Sequence, residues 1–249
     1  SRMITGMNQY NHQSPDYLVT LIDAAKAAGY TTWWCTNHKA NDYQTGYIMQ
    51  TADHVVEVPA PTGDDAQLLD VMDTIPQEGH HFVVLHIMGS HLRYGDRYPT
   101  GFPVIPGNNK KISEYDTSIA YTDHILQKMT EKARETLHAS VIMYVSDHSE
   151  DMKYTHGTGH FTFDMTRIPL WIYLSPSYQQ KHKEKAESLR RHESYVFTND
   201  LVFDTLCGLI GADNYGRTEA YDLSSPSYAL TEKEALTMHG KMHIAEDMQ

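Results

Sequence analysis

The sequence predicts an α/β domain, three layers deep, with a mainly parallel central sheet covered by helices on both sides. Two observations predict it. Short runs rich in β-branched, aromatic and aliphatic residues alternate with helical patterns of ten or more residues. Two of those runs, residues 82–87 (FVVLHI) and 141–145 (VIMYV), are almost continuously apolar, as strands buried on both faces are. At 249 residues the chain can build one such domain with a substantial core. With no internal repeat, linker or low-complexity tract, residues 1–249 read as a single domain.

Each element has its own signal. Ser14-Pro15 reads as an N-cap followed by proline at the first helical position, after which Leu18, Leu21, Ile22 and Ala25 recur at helical spacing and Gly29 stops the helix. Residues 30–35 (YTTWWC) form a strand, 37–42 a polar loop, and 54–58 a second short strand. Asp65 caps a helix over 66–74. The apolar run 82–87, bounded by Gly79 and Gly89, is followed by an irregular stretch, 90–111, rich in Gly, Pro, Tyr and Asn, of a length usually reserved for function or disorder. Ser113 starts a long helix with Tyr115, Ile119, Tyr121, Ile125 and Met129 as its inner stripe. The strand 141–145 runs into Ser146-Asp147-His148, and a Gly/His-rich loop spans 153–164. A strand over 169–174 and a helix over 199–210 complete the pattern, and the last twenty or so residues read as polar and peripheral.

The net charge of -12 argues against a nucleic-acid-binding face. No apolar run is long enough to span a bilayer and no signal peptide opens the chain, so the polypeptide reads as soluble in itself. Most of the 16 histidines read as bland rather than functional. Those within 179–192, with His239 and His243, read as solvated. Cys35 and Cys207 fall on apolar faces and read as buried free thiols, which leaves the redox compartment open.

In open α/β sheets ligands bind beyond the carboxyl ends of the strands. Here that rule selects Gly89-Ser90-His91 and Ser146-Asp147-His148-Ser149-Glu150. Asp147 and His148 offer a carboxylate oxygen and an imidazole nitrogen side by side, a donor pair suited to zinc or manganese. Alone, such a pair is more often a turn cap beside a packed ring. His91 and His156 shift the balance, because each lies in a polar glycine-containing loop with little core to fill. Histidines converging on a metal serve phosphate-ester chemistry by binding the ester and stabilising transition-state charge. His160, in the same loop as His156, is either a further member or a hydrogen-bonding part of the loop.

These residues carry a resemblance. His86-Ile87-Met88-Gly89-Ser90-His91 with Arg97-Tyr98-Pro99, the helix segment 115–123, Ser146-Asp147-His148 with Glu150 and Tyr154-Thr155-His156-Gly157, and Phe197-Thr198-Asn199-Asp200 resemble, in order, the blocks of the bacterial phosphoethanolamine transferases. That family lies within the alkaline phosphatase and sulfatase superfamily. The resemblance runs from about residue 15 to 211. It implies a zinc enzyme that moves phosphoethanolamine from a phospholipid donor to lipid A or another envelope glycan through a phospho-threonine intermediate. Asp147 and His148 match metal ligands. His91 and His156 match residues that contact the phosphoryl group or a second metal, and Glu150 lies in the metal block. The implied setting is the periplasm, in a protein held to the inner membrane by an N-terminal anchor.

The sequence departs from that pattern in three ways. Ser149 stands where the family usually has glycine, and the family's several disulfides are absent. The family's first strand and threonine nucleophile precede the segment matching residue 15, and Thr5 falls just past the nucleophile position and reads as a helix-end residue. The expectations that follow are an open sheet edge prone to self-association, weak zinc occupancy and an inactive fragment. A sulfatase, phosphatase or phosphoglycerol transferase of the same fold, and a non-catalytic domain retaining it, are the rival readings.

Overall fold

The computed structural model describes residues 2–11, 18–39, 43–58, 64–157, 159–213 and 216–247. In chain order its elements are α1 (Leu21–Ala27), β1 (Thr31–Thr36), α2 (Tyr43–Gln50), β2 (His54–Glu57), α3 (Gln67–Met72), β3 (His81–His86) and α4 (Lys110–Glu135). They continue with β4 (Val141–Val145), β5 (Leu170–Leu174), α5 (Pro176–Lys181), α6 (Lys183–Arg191), α7 (Val202–Ile210), β6 (Leu236–Thr237) and β7 (Met242–His243). The chain forms two compact units, one of Tyr30–Ala139 and one of Ser1–Gly29 with Ser140–Gln249.

The unit Tyr30–Ala139 is built on a parallel sheet in the order β2-β1-β3. Its middle strand, β1, is the one that is buried almost throughout. The apolar composition of β3 had suggested burial on both faces, yet its residues are only half-buried, as are those of β4. Within the described sheets neither is flanked by strands on both sides, whereas β1 is. Trp33 and Cys35 of β1 pack with Leu68, Val71, Met72 and Ile75 and with Tyr121, Ile125 and Met129 of α4. Helix α4 starts at Lys110, three residues before Ser113, because the Asn109 side chain accepts from the Ile112 N–H and caps it there. Its buried stripe is Thr117, Ser118, Tyr121, Thr122, Ile125 and Met129. Ile119 is instead 46% exposed. At about 100° per residue it lies some 200° from Tyr121, on the opposite face.

Asp65 also departs from expectation. The N-cap of α3 is Ala66, with no side-chain cap, and the Asp65 carboxylate is engaged elsewhere.

In the other unit β4 pairs antiparallel with β5, with Tyr144 opposite Trp171. Helix α1 begins later than the Ser14-Pro15 signal, which lies outside the described residues. Thr20 is its N-cap, accepting from the Asp23 N–H while Asp23 accepts from the Thr20 N–H, a capping box. The buried residues Leu21, Ile22, Ala24 and Ala25 line α1, which packs against α7 and its buried Val202, Phe203, Cys207 and Leu209. Residues 199–201 form a 3-10 turn ahead of α7, so the expected helix begins as two pieces. Both cysteines are free and buried, and burial raises the Cys35 thiol to about 11 and the Cys207 thiol to about 12.

Two surface expectations are corrected. His192 is buried, its Nδ1 bonded to the Leu223 carbonyl at 2.8 Å, although His182, His239 and His243 are exposed. The C-terminal segment is not wholly peripheral. Leu230 and Ala235 are buried with Leu201, Leu223 and Tyr228, and the β6–β7 hairpin is tied to Gln9, whose Nε2 donates to the Leu236 carbonyl.

Candidate active site

The loop leaving β4 carries Ser146-Asp147-His148-Ser149-Glu150, and it is held from several directions. The Ser146 hydroxyl donates to the His148 carbonyl at 2.7 Å, and the Ser149 N–H donates to the Met165 carbonyl at 2.8 Å. Ser149 does not adopt a positive φ, so the residue standing in place of glycine carries no backbone strain. From the start of the 3-10 turn before α7, Asn199 Nδ2 donates to the Asp147 carbonyl at 2.5 Å. These bonds leave the Asp147 carboxylate 74% exposed beside the half-buried His148 ring.

The two histidines of this unit are oriented by acceptors. His148 Nδ1 lies 2.9 Å from the Ser149 carbonyl. A carbonyl only accepts, so Nδ1 carries the proton and the ring lone pair sits on Nε2. That Nε2 is 3.8 Å from Asp147 Oδ2. His156 Nδ1 lies 2.9 Å from Glu150 Oε2, and the His156 N–H donates to Glu150 Oε1 at 2.6 Å. The Glu150 side chain is 5% exposed, so one buried carboxylate fixes both the backbone and the ring of His156. The two imidazoles pack with centroids 4.2 Å apart.

Asp151 organises the loop that brings His156 back. Its Oδ1 accepts from the Lys153 and Tyr154 N–H groups at 2.7 and 2.9 Å, and its Oδ2 from the Thr162 hydroxyl at 2.9 Å. The Tyr154 and Lys153 N–H groups hold its carboxyl below the usual range. Thr155 has φ 56° and Gly157 φ 77°, so two left-handed residues flank His156. For a β-branched residue this backbone is strained, and such strain is found where surrounding contacts over-determine it.

The structure thus brings Asp147, His148, Glu150 and His156 together. His160 is exposed, its ring 5.0 Å from that of Tyr154. His91 belongs to the unit Tyr30–Ala139, exposed in the turn that follows β3. Thr5, directly after a 3-10 turn at Arg2–Ile4, is 1% exposed and bridges to Thr20, which suits a structural residue rather than a nucleophile. Asp151 and Asn199 were missed as supports. The sequence did hold a signal for Asp151, since aspartate two and three residues ahead of the amides it binds is an Asx-turn pattern.

A metal suits the donors that are present. Asp147 Oδ2 and His148 Nε2, 3.8 Å apart, are the carboxylate and imidazole donors that would together hold a metal ion. The bond from His148 Nδ1 to a backbone carbonyl is the outer contact that metal-ligating histidines make. Among the described residues, no group of three or more His, Cys, Asp or Glu side chains converges to hold an ion, so this pair is a partial set.

Over residues 1–212 the sequence matches the sulfatase family. The chain is a member of that family. The match spans both units. Among relatives of this sulfatase-family chain, phosphoethanolamine transferase EptA of Salmonella typhimurium is 29% identical over 186 residues, covering 66% of this chain and 34% of that protein. The Kdo(2)-lipid A phosphoethanolamine 7''-transferase of the same organism is 28% identical over 172 residues, covering 60% and 30%. The chain therefore spans about a third of the length of these curated relatives. The C-terminal periplasmic domain of EcEptC from Escherichia coli, in a complex with Zn, superposes with a TM-score of 0.76 at 20% identity, covering 93% of this chain and 72% of that one. The lipoteichoic acid synthase LtaP of Listeria monocytogenes superposes with a TM-score of 0.62 at 13% identity, covering 91% and 61%. These likenesses establish an α/β fold with a parallel sheet, as the sequence predicted. No described helix is long and apolar enough to cross a membrane.

Proposed function

We propose that this sulfatase-family chain is part of a metal-dependent phosphoethanolamine transferase that carries the group from a phospholipid donor to lipid A or another envelope glycan. The reading rests above all on the Asp147–His148 pair standing against a His156 ring held by buried Glu150. The names of the curated relatives support the transferred group.

Asp147 and His148 would hold the ion, zinc in the first instance and manganese as the other hard-to-borderline candidate. Bound there, a metal supplies Lewis-acid polarisation of a phosphoryl oxygen and offsets its developing charge. His156 Nε2 accepts a proton from the attacking hydroxyl or, once protonated, donates to a phosphoryl oxygen. In either role the carboxylate 2.9 Å from Nδ1 stabilises the imidazolium. His91, from the turn after β3, is the second phosphoryl-binding residue of the proposal. The nucleophile is a threonine other than the buried Thr5. The protein works in the periplasm, anchored to the inner membrane, with the membrane as the source of its donor.

Zinc titration of the chain tests the metal assignment. One zinc per chain is expected, with affinity lowered at least ~100-fold by combined Asp147→Ala and His148→Ala substitution. Equal binding by both proteins would refute it. The full-length gene product, supplied with phosphatidylethanolamine or phosphatidylglycerol vesicles and lipid A, tests the group transferred. Modification only from the phosphatidylethanolamine vesicles supports the proposal, and modification from phosphatidylglycerol shifts the reading to a phosphoglycerol transferase.

A further inference from the structure

Asp65 is 5% exposed and lies just ahead of α3, far in sequence from any residue of the site. Its carboxylate does three things at once. Oδ1 accepts from Asn37 Nδ2 at 2.8 Å and from the Met88 N–H at 2.8 Å, and Oδ2 accepts from the Gly89 N–H at 2.8 Å. Asn37 is itself 1% exposed and follows β1 directly, while Met88 and Gly89 lie just beyond the end of β3. One buried carboxylate therefore joins the carboxyl ends of two neighbouring parallel strands.

The same contact sets the path of the turn. Two consecutive amides pointing at one carboxylate force the backbone to curl around it, and Gly89 completes the curl with φ 57°. Ser90 and His91 follow immediately. The Ser90 hydroxyl then lies 3.4 Å from that of Thr122 on α4, a second tether on the same turn. Neighbouring Asp64 anchors the region to α4, accepting from the Tyr121 hydroxyl at 2.7 Å, and accepts from the Ala66 N–H at 3.0 Å. Asp64 thus has its own partners ahead of α3, and the Asp65 carboxylate serves the turn.

We infer that Asp65 is a positioning residue that fixes the direction in which His91 leaves β3. It acts through the Met88 and Gly89 amides and touches no reacting atom. Replacing its charge removes the only kind of group that can accept from both amides and from Asn37 together. The contribution to catalysis rests on the phosphoryl-transfer reading of His91, but the structural claim does not.

The test uses Asp65→Asn and Asp65→Ala, with Asp64→Asn as the control for the α3 start. Amide exchange of Gly89 and the imidazole ¹H–¹⁵N resonances of His91, assigned with His91→Gln, are followed in the folded chain. Gly89 exchange about tenfold faster, with moved His91 resonances in both Asp65 variants but not in Asp64→Asn, is expected. If Asp65→Ala does not fold, Asp65→Asn alone carries the comparison. Unchanged Gly89 protection and His91 resonances in folded Asp65→Asn would overturn the inference. In the full-length enzyme, Asp65→Asn is expected to lower kcat about tenfold while KM stays within about twofold and the pH profile keeps its shape. Reduced transfer with unmoved His91 resonances would also overturn it. Moved resonances with no transfer in any protein, wild type included, would leave Asp65 as the positioner and count against the phosphoryl-transfer reading alone.

Discussion

Glu150 bonds to His156 twice, once through the ring and once through the backbone, from a side chain almost wholly removed from water. A neutral amide at this position keeps one acceptor but cannot stabilise a charged ring. Glu150→Gln is therefore expected to lower transfer by about 10–100-fold with little change in thermal stability, measured as kcat and Tm on the same preparation. Retained activity would reduce Glu150 to a loop staple. Asp204 makes the opposite use of burial. It is 2% exposed, and burial, opposed by the Thr218 N–H and reinforced by the Asp222 charge, raises its carboxyl to about 7. The folded state thus holds a proton that the unfolded chain gives up above the usual carboxyl range. Stability is fully present below about pH 4 and is lost as pH rises toward 7, by about 1.4 kcal/mol for each pH unit at most. Asp222 and Asp65, also raised by burial, act in the same direction, and Asp151, which is lowered, acts in reverse. Melting temperatures at pH 5 and pH 8 should therefore fall less with pH in Asp204→Asn than in the wild type. An equal fall would mean that Asp204 is ionised in the folded protein.

At the scale of the element, α7 depends on a residue that has no side chain. A methyl group on Gly208 would overlap the Asp222 carboxylate and crowd the Ser224 hydroxyl 2.9 Å away. Asp222 is fully buried and bonded to Arg217 at 2.7 Å and to Ser224, so it has nowhere to retreat. Gly208→Ala is expected to destabilise by roughly 2–4 kcal/mol although alanine is the better helix former. Chemical denaturation would read this directly, and a neutral or stabilising result would show that the Asp222 segment can shift. Helix α1 carries a smaller and more general device. Removing the Thr20 side chain breaks one half of the capping box, and Thr20→Ala should cost about 1 kcal/mol in the same experiment. Neither effect reaches the loop at Asp147 by a direct bond, so zinc affinity should be unchanged in both variants.

For the molecule as a whole, the match to the sulfatase family over residues 1–212 takes in sequence from both units. Strands β1 to β5 and helices α1, α3, α4 and α7 were readable from local pattern, whereas α2 and the β6–β7 hairpin were not. Residues 141–145 were bounded correctly, and β1, β2, β3 and β5 to within a residue, because apolar runs closed by turn residues have few alternative conformations. The placement of Asp147 and His148 beyond a strand end followed from the same pattern and a topological rule. What local pattern could not supply was the partner of each polar group. Asp65 and Thr20 look alike as potential caps, yet only Thr20 caps a helix, since the amides that claim Asp65 are brought to it by the pairing of β1 with β3. The burial of His192 among charged neighbours, the exposure of Ile119 and the half-burial of apolar β3 are likewise set by what packs alongside. Composition and spacing determined the fold class, the strand ends and the residue types able to bind a metal and a phosphoryl group. Tertiary structure alone decided which carboxylate orients which ring, because a hydrogen bond is satisfied by whatever distant group the fold delivers within about 3 Å.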